Sequence, residues 1–272
     1  MDSKVIVITG ASEGIGATLA ELLGQQGHKI VVAARRKEPL EAVAARSGDA
    51  RAVVADVTKR GDVEKLRDAA LAAFGHVDVW VNNAGRGILK HVLELDDQDI
   101  DDMITVNVKS VVYGAQAIAP HFIERGRGHI VNVSSFLGRI PAAPQRSVYS
   151  AAKAAMGSLT ANLRGDLRAK APAIHVTLVM PGLVATDFAK NAVHSVGGLP
   201  TQPNPAAATN PALQIQTPEE VAQAIARVIA EPAAELYTNP AHAPVVARYF
   251  QDVGAFEAMM SGGPPPAAKP AS

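Results

Sequence analysis

The stretch Lys4-Val5-Ile6-Val7-Ile8-Thr9-Gly10-Ala11-Ser12-Glu13-Gly14-Ile15-Gly16 decides how this chain folds. Five consecutive β-branched residues with no polar alternation read as a strand buried on both faces. Glycines follow at 10, 14 and 16, and an apolar helix-type stretch runs from Ala17 to Gln26. Glycine lets the backbone turn tightly and lets a ligand approach it, while the free N–H groups and positive end of the next helix favour a pyrophosphate. A dinucleotide fits such a loop. The spacing is Gly-x-x-x-Gly-x-Gly rather than Gly-x-Gly-x-x-Gly, so its place between a strand and a helix carries the reading.

Working outward, short β-branched runs alternate with Ala/Leu-rich amphipathic stretches. The order is KVIVIT, Ala17 to Gln26, IVVAA, Lys37 to Arg46, RAVVAD, Asp62 to Phe74, DVWVNN, HIVNVSS, IHVTLVM and ELYT. Near-continuous apolar strands separated by helix-length segments predict a single-domain α/β fold. It is a doubly wound, Rossmann-type parallel sheet of about seven strands with helices on both faces. No Gly/Ser-rich linker interrupts the pattern, so one catalytic domain is expected over residues 1–261.

Within it, residues 187–216 read as a substrate loop, because Lys190 to Gln216 is rich in Pro, Gly, Asn and Ala. The next helix opens at Thr217-Pro218-Glu219-Glu220, an N-cap followed by Pro. The Pro-rich tail, residues 262–272, is expected to be disordered.

Composition narrows the function. Lys plus Arg and Asp plus Glu both number 26 in 272 residues, so no global basic field draws in nucleic acid or an anionic membrane. The chain has no cysteine, which excludes disulfides, thiolate metal ligands and a cysteine nucleophile. The first strand starts within four residues of Met1, leaving no room for a signal peptide, and no apolar run approaches membrane-spanning length. A soluble cytoplasmic protein is expected.

The histidines show no metal-ligand spacing, and no metal is expected. The acidic run Glu94 to Asp102 reads as a helix start with a solvated face, and Arg125 to His129 as a basic turn.

At the end of the second strand, Ala33-Ala34-Arg35-Arg36-Lys37 carries no carboxylate to bind a ribose 2′-hydroxyl. A guanidinium of Arg35 or Arg36 can clamp a 2′-phosphate instead, so NADP(H) is favoured over NAD(H), with Glu13 an opposing charge nearby. Later in the chain, Tyr149-Ser150-Ala151-Ala152-Lys153 places a phenol and an ammonium one helical turn apart, on one face.

Together these motifs resemble the short-chain dehydrogenase/reductase family from Thr9 to about Thr238. The match comprises TGASEGIG at 9–16, Asp56-Val57, NNAG at 82–85, Asn107 in TVNVKS, VNVSS at 131–135, YSAAK at 149–153 and PGLVAT at 181–186, in that order. The resemblance implies that Gly10, Ser12, Gly14, Ile15 and Gly16 cradle the cofactor. It places Asp56 and Val57 at the adenine, Asn83, Ala84 and Gly85 beside the adenosine, and Pro181, Gly182, Val184 and Thr186 at the nicotinamide. It implies a catalytic group of Asn107, Ser135, Tyr149 and Lys153, Ser135 being preferred to Ser134, with Tyr149 and Lys153 also touching the cofactor.

In that scheme Tyr149 is the proton donor and the charge of Lys153 lowers its pKa. Ser135 orients the substrate oxygen, and Asn107 fixes a water that passes protons to Lys153. The implied activity is hydride transfer between NADP(H) and a ketone or aldehyde with an apolar body, in a pocket lined by Phe136, Leu137, Phe188 and the loop. A homo-oligomer is expected, with a dimer through the helices near Asn107 and Tyr149 preferred to a tetramer. An NAD-dependent alcohol dehydrogenase, a nicotinamide-binding sensor without turnover, and an epimerase or dehydratase are the competing readings.

Overall fold

The computed structural model describes residues 2–188, 190–194 and 210–260. The expected disordered tail therefore lies outside the described residues, as does the middle of the expected substrate loop, residues 195–209.

The opening apolar run forms β1 (Val5–Thr9), which is buried at every position. It is followed by α1 (Gly14–Gln25), β2 (Lys29–Ala34), α2 (Lys37–Arg46), β3 (Ala50–Val54), α3 (Arg60–Phe74) and β4 (Val79–Asn82). After α4 (Asp97–Ile104), a π-helical turn over Thr105–Lys109 leads into α5 (Ser110–Arg125). Then come β5 (Gly128–Val133), α6 (Ser147–Lys170), β6 (Ile174–Met180), α7 (Pro218–Ala230), β7 (Glu235–Tyr237), α8 (His242–Gln251) and α9 (Val253–Met260). The seven strands form one parallel sheet in the order β3-β2-β1-β4-β5-β6-β7. The doubly wound fold expected from the sequence is therefore present, and α1 begins inside the glycine loop rather than at Ala17.

Two apolar layers hold the sheet. On one face Leu19, Leu23, Leu40, Val43, Val221, Ile225 and Ile229 from α1, α2 and α7 pack against Ile6, Ile8, Ile30 and Val32. On the other face Val63, Leu66, Ile118, Phe122 and Leu167 from α3, α5 and α6 cover Val5, Val7, Val31, Trp80 and Ile130. Successive strand residues alternate between these layers, which is why the strands read as continuous apolar runs.

The chain order reverses between β1 and β4. Strand β1 has β2 on one side and β4 on the other, so the loops at the C-terminal ends of these two strands diverge and leave a crevice. No described helix is long and apolar enough to cross a membrane.

Candidate active site

The glycine loop leaves β1 at this crevice. Gly10 and Gly14 adopt positive φ of 66° and 57°, the left-handed region that favours glycine. A β-carbon on Gly10 would also lie 2.7 Å from Ala84 Cα, so the loop packs directly on the turn after β4. Thr9 and Asn83 fasten that contact. The Thr9 hydroxyl accepts from the amides of Asn83 (3.1 Å) and Ala84 (3.2 Å), and Asn83 Nδ2 donates to the Thr9 and Gly10 carbonyls at 2.9 and 3.2 Å.

No described side chain caps the N-terminus of α1, and no acidic residue sits in its first turn. Its free N–H groups therefore face the crevice, an arrangement that suits a pyrophosphate. Ser12 and Ile15 sit in this loop, and the Thr186 methyl approaches Gly14 from the β6 side.

Beyond the loop, Arg36 pairs with Glu13 at 2.6 Å and donates to Ser12 Oγ at 3.1 Å. Glu13 also accepts from Asn191 at 2.9 Å. Arg35 is exposed at the end of β2, and its charge acts on Asp56. Burial alone would push the Asp56 carboxyl up, but bonds from the Thr58 hydroxyl and amide, at 2.7 and 3.0 Å, and the charge of Arg35 outweigh it and hold it low. Val57 packs partly buried against the α3 side of the sheet.

The second group gathers around α6. Tyr149 and Lys153 are both buried, at 7% and 3% exposure, on the face that the four-residue spacing predicts. The Lys153 ammonium donates to the Val133 carbonyl at 3.0 Å and lies 5.7 Å from the centre of the Tyr149 ring. The adjacent serines point to different partners. Ser134 Oγ donates to the Lys153 carbonyl at 2.9 Å, whereas the Ser135 hydroxyl meets the Tyr149 hydroxyl and accepts from the Leu137 amide at 3.1 Å.

Asn107 is fully buried in the π turn. Its Nδ2 donates to the carbonyls of Arg86 (2.9 Å) and Met103 (3.1 Å), and its Oδ1 accepts from the Arg86 amide at 3.3 Å. Gly85 separates it from Lys153: a β-carbon there would stand 3.0 Å from Asn107 Oδ1 and 3.3 Å from Lys153 Nζ. Absence of that carbon leaves the two polar ends facing one small space.

The electrostatics differ from the sequence expectation in one respect. Burial pushes the Tyr149 phenol up, with the Ser135 hydroxyl and then the charge of Arg146 opposing it. Lys153, expected to supply that charge, is itself lowered to about 7 by desolvation. A lysine without a carboxylate partner in a dry site gives up its proton more readily.

On the β6 side, Pro181 accepts from the Phe136 amide at 2.8 Å, and Val184 pairs with Gln216 in an isolated bridge. Gly182 lies directly under the His242 ring, which stacks on Phe136 at a centroid distance of 4.1 Å. The expected pocket lining therefore divides. Leu137 and Phe188 pack with Tyr149, Ile88, Val148 and Met103, whereas Phe136 joins Ile140, Tyr249 and Phe256 beside the C-terminal helices.

The acidic run is also not uniformly solvated. Asp96 caps α4, while Asp99 is 5% exposed and bonded to Lys90 at 2.5 Å and to His194 at 3.0 Å. Sequence reasoning missed Arg146, His242 and the buried chain Trp80–Asn82–Asn132–Thr160 that ties β4 to β5 and α6. Only the polar residues inside apolar strands, Asn82 and Asn132, signal that chain in the sequence.

A parallel doubly wound sheet with a glycine loop at its switch point defines a nucleotide-binding class of α/β protein. The sequence profile of the short chain dehydrogenase family matches residues 4–196. An uncharacterized oxidoreductase of Staphylococcus epidermidis is 36% identical over 184 residues, which are 67% of this chain and 79% of that protein. A short chain dehydrogenase/reductase from Burkholderia phymatum, solved in complex with NAD, matches with a TM-score of 0.80 at 30% identity, over 100% of this chain and 98% of that one. An alcohol dehydrogenase from the archaeon Thermococcus sibiricus, complexed with 5-hydroxy-NADP, matches with a TM-score of 0.72 at 27% identity, over 87% of this chain and 96% of that one. The chain belongs to the short-chain dehydrogenase/reductase family.

Proposed function

We propose that this protein is an oxidoreductase that transfers a hydride between NADP(H) and a carbonyl or alcohol substrate, acting as a ketone or aldehyde reductase. The observation that carries the reading is the convergence of Tyr149, Ser135, Lys153 and Asn107 beside the uncapped N-terminus of α1. When bound, the nicotinamide supplies the hydride. Gly10, Ser12, Gly14, Ile15 and Gly16 would hold the pyrophosphate, and Asp56, Val57, Asn83, Ala84 and Gly85 the adenosine side. Pro181, Gly182, Val184 and Thr186 would border the nicotinamide.

The chain's own residues then handle the proton. Tyr149 donates to the substrate oxygen, which Ser135 orients by a second hydrogen bond. The raised phenol pKa keeps Tyr149 protonated at neutral pH, which suits the reductive direction. Lys153, titrating near 7, can return a proton to Tyr149, and Asn107 holds the water that connects Lys153 to solvent. Arg35 and Arg36 favour a 2′-phosphate, since β2 ends without a carboxylate; the Glu13 pairing of Arg36 leaves Arg35 as the less encumbered guanidinium. We further propose a homo-oligomer joined through α5 and α6, for which light scattering of the purified protein gives the test.

A panel of ketones, aldehydes and alcohols assayed with NADPH, NADH and their oxidised forms tests the reading. Turnover with NADPH preferred is expected, and absence of turnover across the panel overturns it. Arg35→Asp should move the NADPH/NADH ratio of kcat/KM toward NADH by roughly tenfold or more. An unchanged ratio would show that the 2′ position is read elsewhere.

A further inference from the structure

Arg146 stands immediately before α6, three residues and nearly one turn from Tyr149, and so presents its side chain on the Tyr149 face of the helix. Its Nη1 is buried and has no hydrogen-bond partner among the described residues. Among the described residues no carboxylate forms an ion pair with Arg146, and the undescribed stretches 195–209 and 261–272 contain no Asp or Glu. Lys90, whose backbone bridges to that of Arg146, is already bonded to Asp96 and Asp99.

Gly87 and Phe188 pack closely on this guanidinium, while Arg146 as a whole stays partly exposed. A β-carbon on Gly87 would lie 2.7 Å from Arg146 Nη1 and 3.0 Å from the Phe188 ring, so the missing carbon lets both side chains settle against this turn. Phe188 in turn packs on Tyr149, with ring centres 5.7 Å apart. The guanidinium, the Phe188 ring and the Tyr149 phenol thus border one region, with Leu137 and Ile88 in the same apolar cluster. Buried polar groups in folded proteins are normally hydrogen-bonded, and an orphaned one calls for an explanation. A guanidinium keeps its charge, so an anion is the partner that would satisfy it best.

We infer that Arg146 is a specificity-determining residue that binds a carboxylate on the substrate, making the preferred substrate an oxo-carboxylate with an apolar body. The inference rests on the reductase reading and adds the charge of the substrate to it. A carboxylate is favoured over a phosphate because one guanidinium offers a single charge and a planar fork, which matches a planar monoanion. The influence of Arg146 on the Tyr149 phenol places the anion site within electrostatic reach of the proton donor.

The test pairs oxo-carboxylates, with the ketone alpha, beta or gamma to the carboxylate, against their methyl esters. In the wild-type enzyme at least one acid should exceed its ester in kcat/KM by tenfold or more. Arg146→Leu should collapse that ratio by about 10²-fold, chiefly through the KM of the acid. Arg146→Lys should retain part of the preference. Equal losses for acid and ester in both variants, or a wild-type preference for esters, would overturn the proposal. Calorimetric binding of the acids and esters to the enzyme holding NADP⁺ separates the two readings. Acid binding that depends on Arg146 without turnover retains the anion site and defeats the reductase; turnover of neutral ketones with no acid preference does the reverse.

Discussion

The two ends of the sheet treat charge in opposite ways. At the N-terminal end of the strands, Asp78 accepts from the Val5 amide at 2.9 Å, from Arg125 at 3.1 Å and from His76 at 3.1 Å. Burial would raise its carboxyl, but the Val5 amide and the Arg125 guanidinium outweigh that and hold it below the usual carboxylate range. The orphan at this end is the Nδ1 of His129, whose ring burial keeps neutral with a pKa of about 3. At the C-terminal end, Lys153 bonds only a carbonyl among the described residues, Arg146 leaves Nη1 unpaired, and α1 begins uncapped. One edge pairs its buried carboxylate and keeps its orphan neutral; the other leaves cationic donors open. The open edge is where an outside group can be bound, because donors without internal partners gain most from a ligand.

The largest expected effect strikes the open edge. Tyr149→Phe removes the proposed proton donor and should lower kcat by about 10² or more while leaving NADPH affinity, read by fluorescence titration, near that of the parent. Turnover close to the parent's would remove Tyr149 from the chemistry and weaken the contrast at its centre. Next comes Gly10→Ala, which forces a side chain into positive φ and against Ala84. It should cost about 1–3 kcal/mol in stability and weaken cofactor binding by roughly tenfold or more. A variant that binds cofactor normally would show that the loop tolerates a β-carbon.

The closed edge should respond in stability alone. Asp78→Ala strands the Val5 amide and Arg125, costing about 1–3 kcal/mol, with kcat/KM within about twofold of the parent's by the reasoning that distant sites act independently. A large kinetic loss would mean that the two edges are coupled. The smallest effect concerns Asp99, which lies on the open side yet is fully paired. Lys90 contributes most to holding its carboxyl down at about 2, against the opposing effect of burial. Its stabilisation is complete above about pH 4 and is lost as the pH falls from about 4 to about 2. Asp99→Asn should therefore lower Tm by a few degrees at pH 7, and the gap should narrow through that acid window. A gap constant with pH would show that the pair does not act as charges.

Legibility in the sequence followed the range of the interactions. The glycine loop, the strand order of types and the Tyr149–Lys153 face rest on contacts within a few residues, so spacing and side-chain type reveal them. The choice between Ser134 and Ser135 was legible only as a preference; in the structure one hydroxyl turns to the α6 backbone and the other to Tyr149. Arg146 reads as an ordinary surface arginine before a helix, because Gly87 and Phe188, which enclose it, lie about 60 residues before it and about 40 after it. His242 is likewise ordinary until α8 brings it over Gly182 and Phe136.

The amino-acid sequence by itself determined the doubly wound fold, the position of the glycine cradle and the residues that carry the family resemblance, since each depends on local periodicity or on an ordered set of short motifs. Only the tertiary structure decided which charges are paired. Burial and long-range packing set that pairing: Lys153 loses its hold on a proton because it is dry, Asp99 gains His194 from 95 residues along the chain, and Arg146 is left with no carboxylate among the described residues.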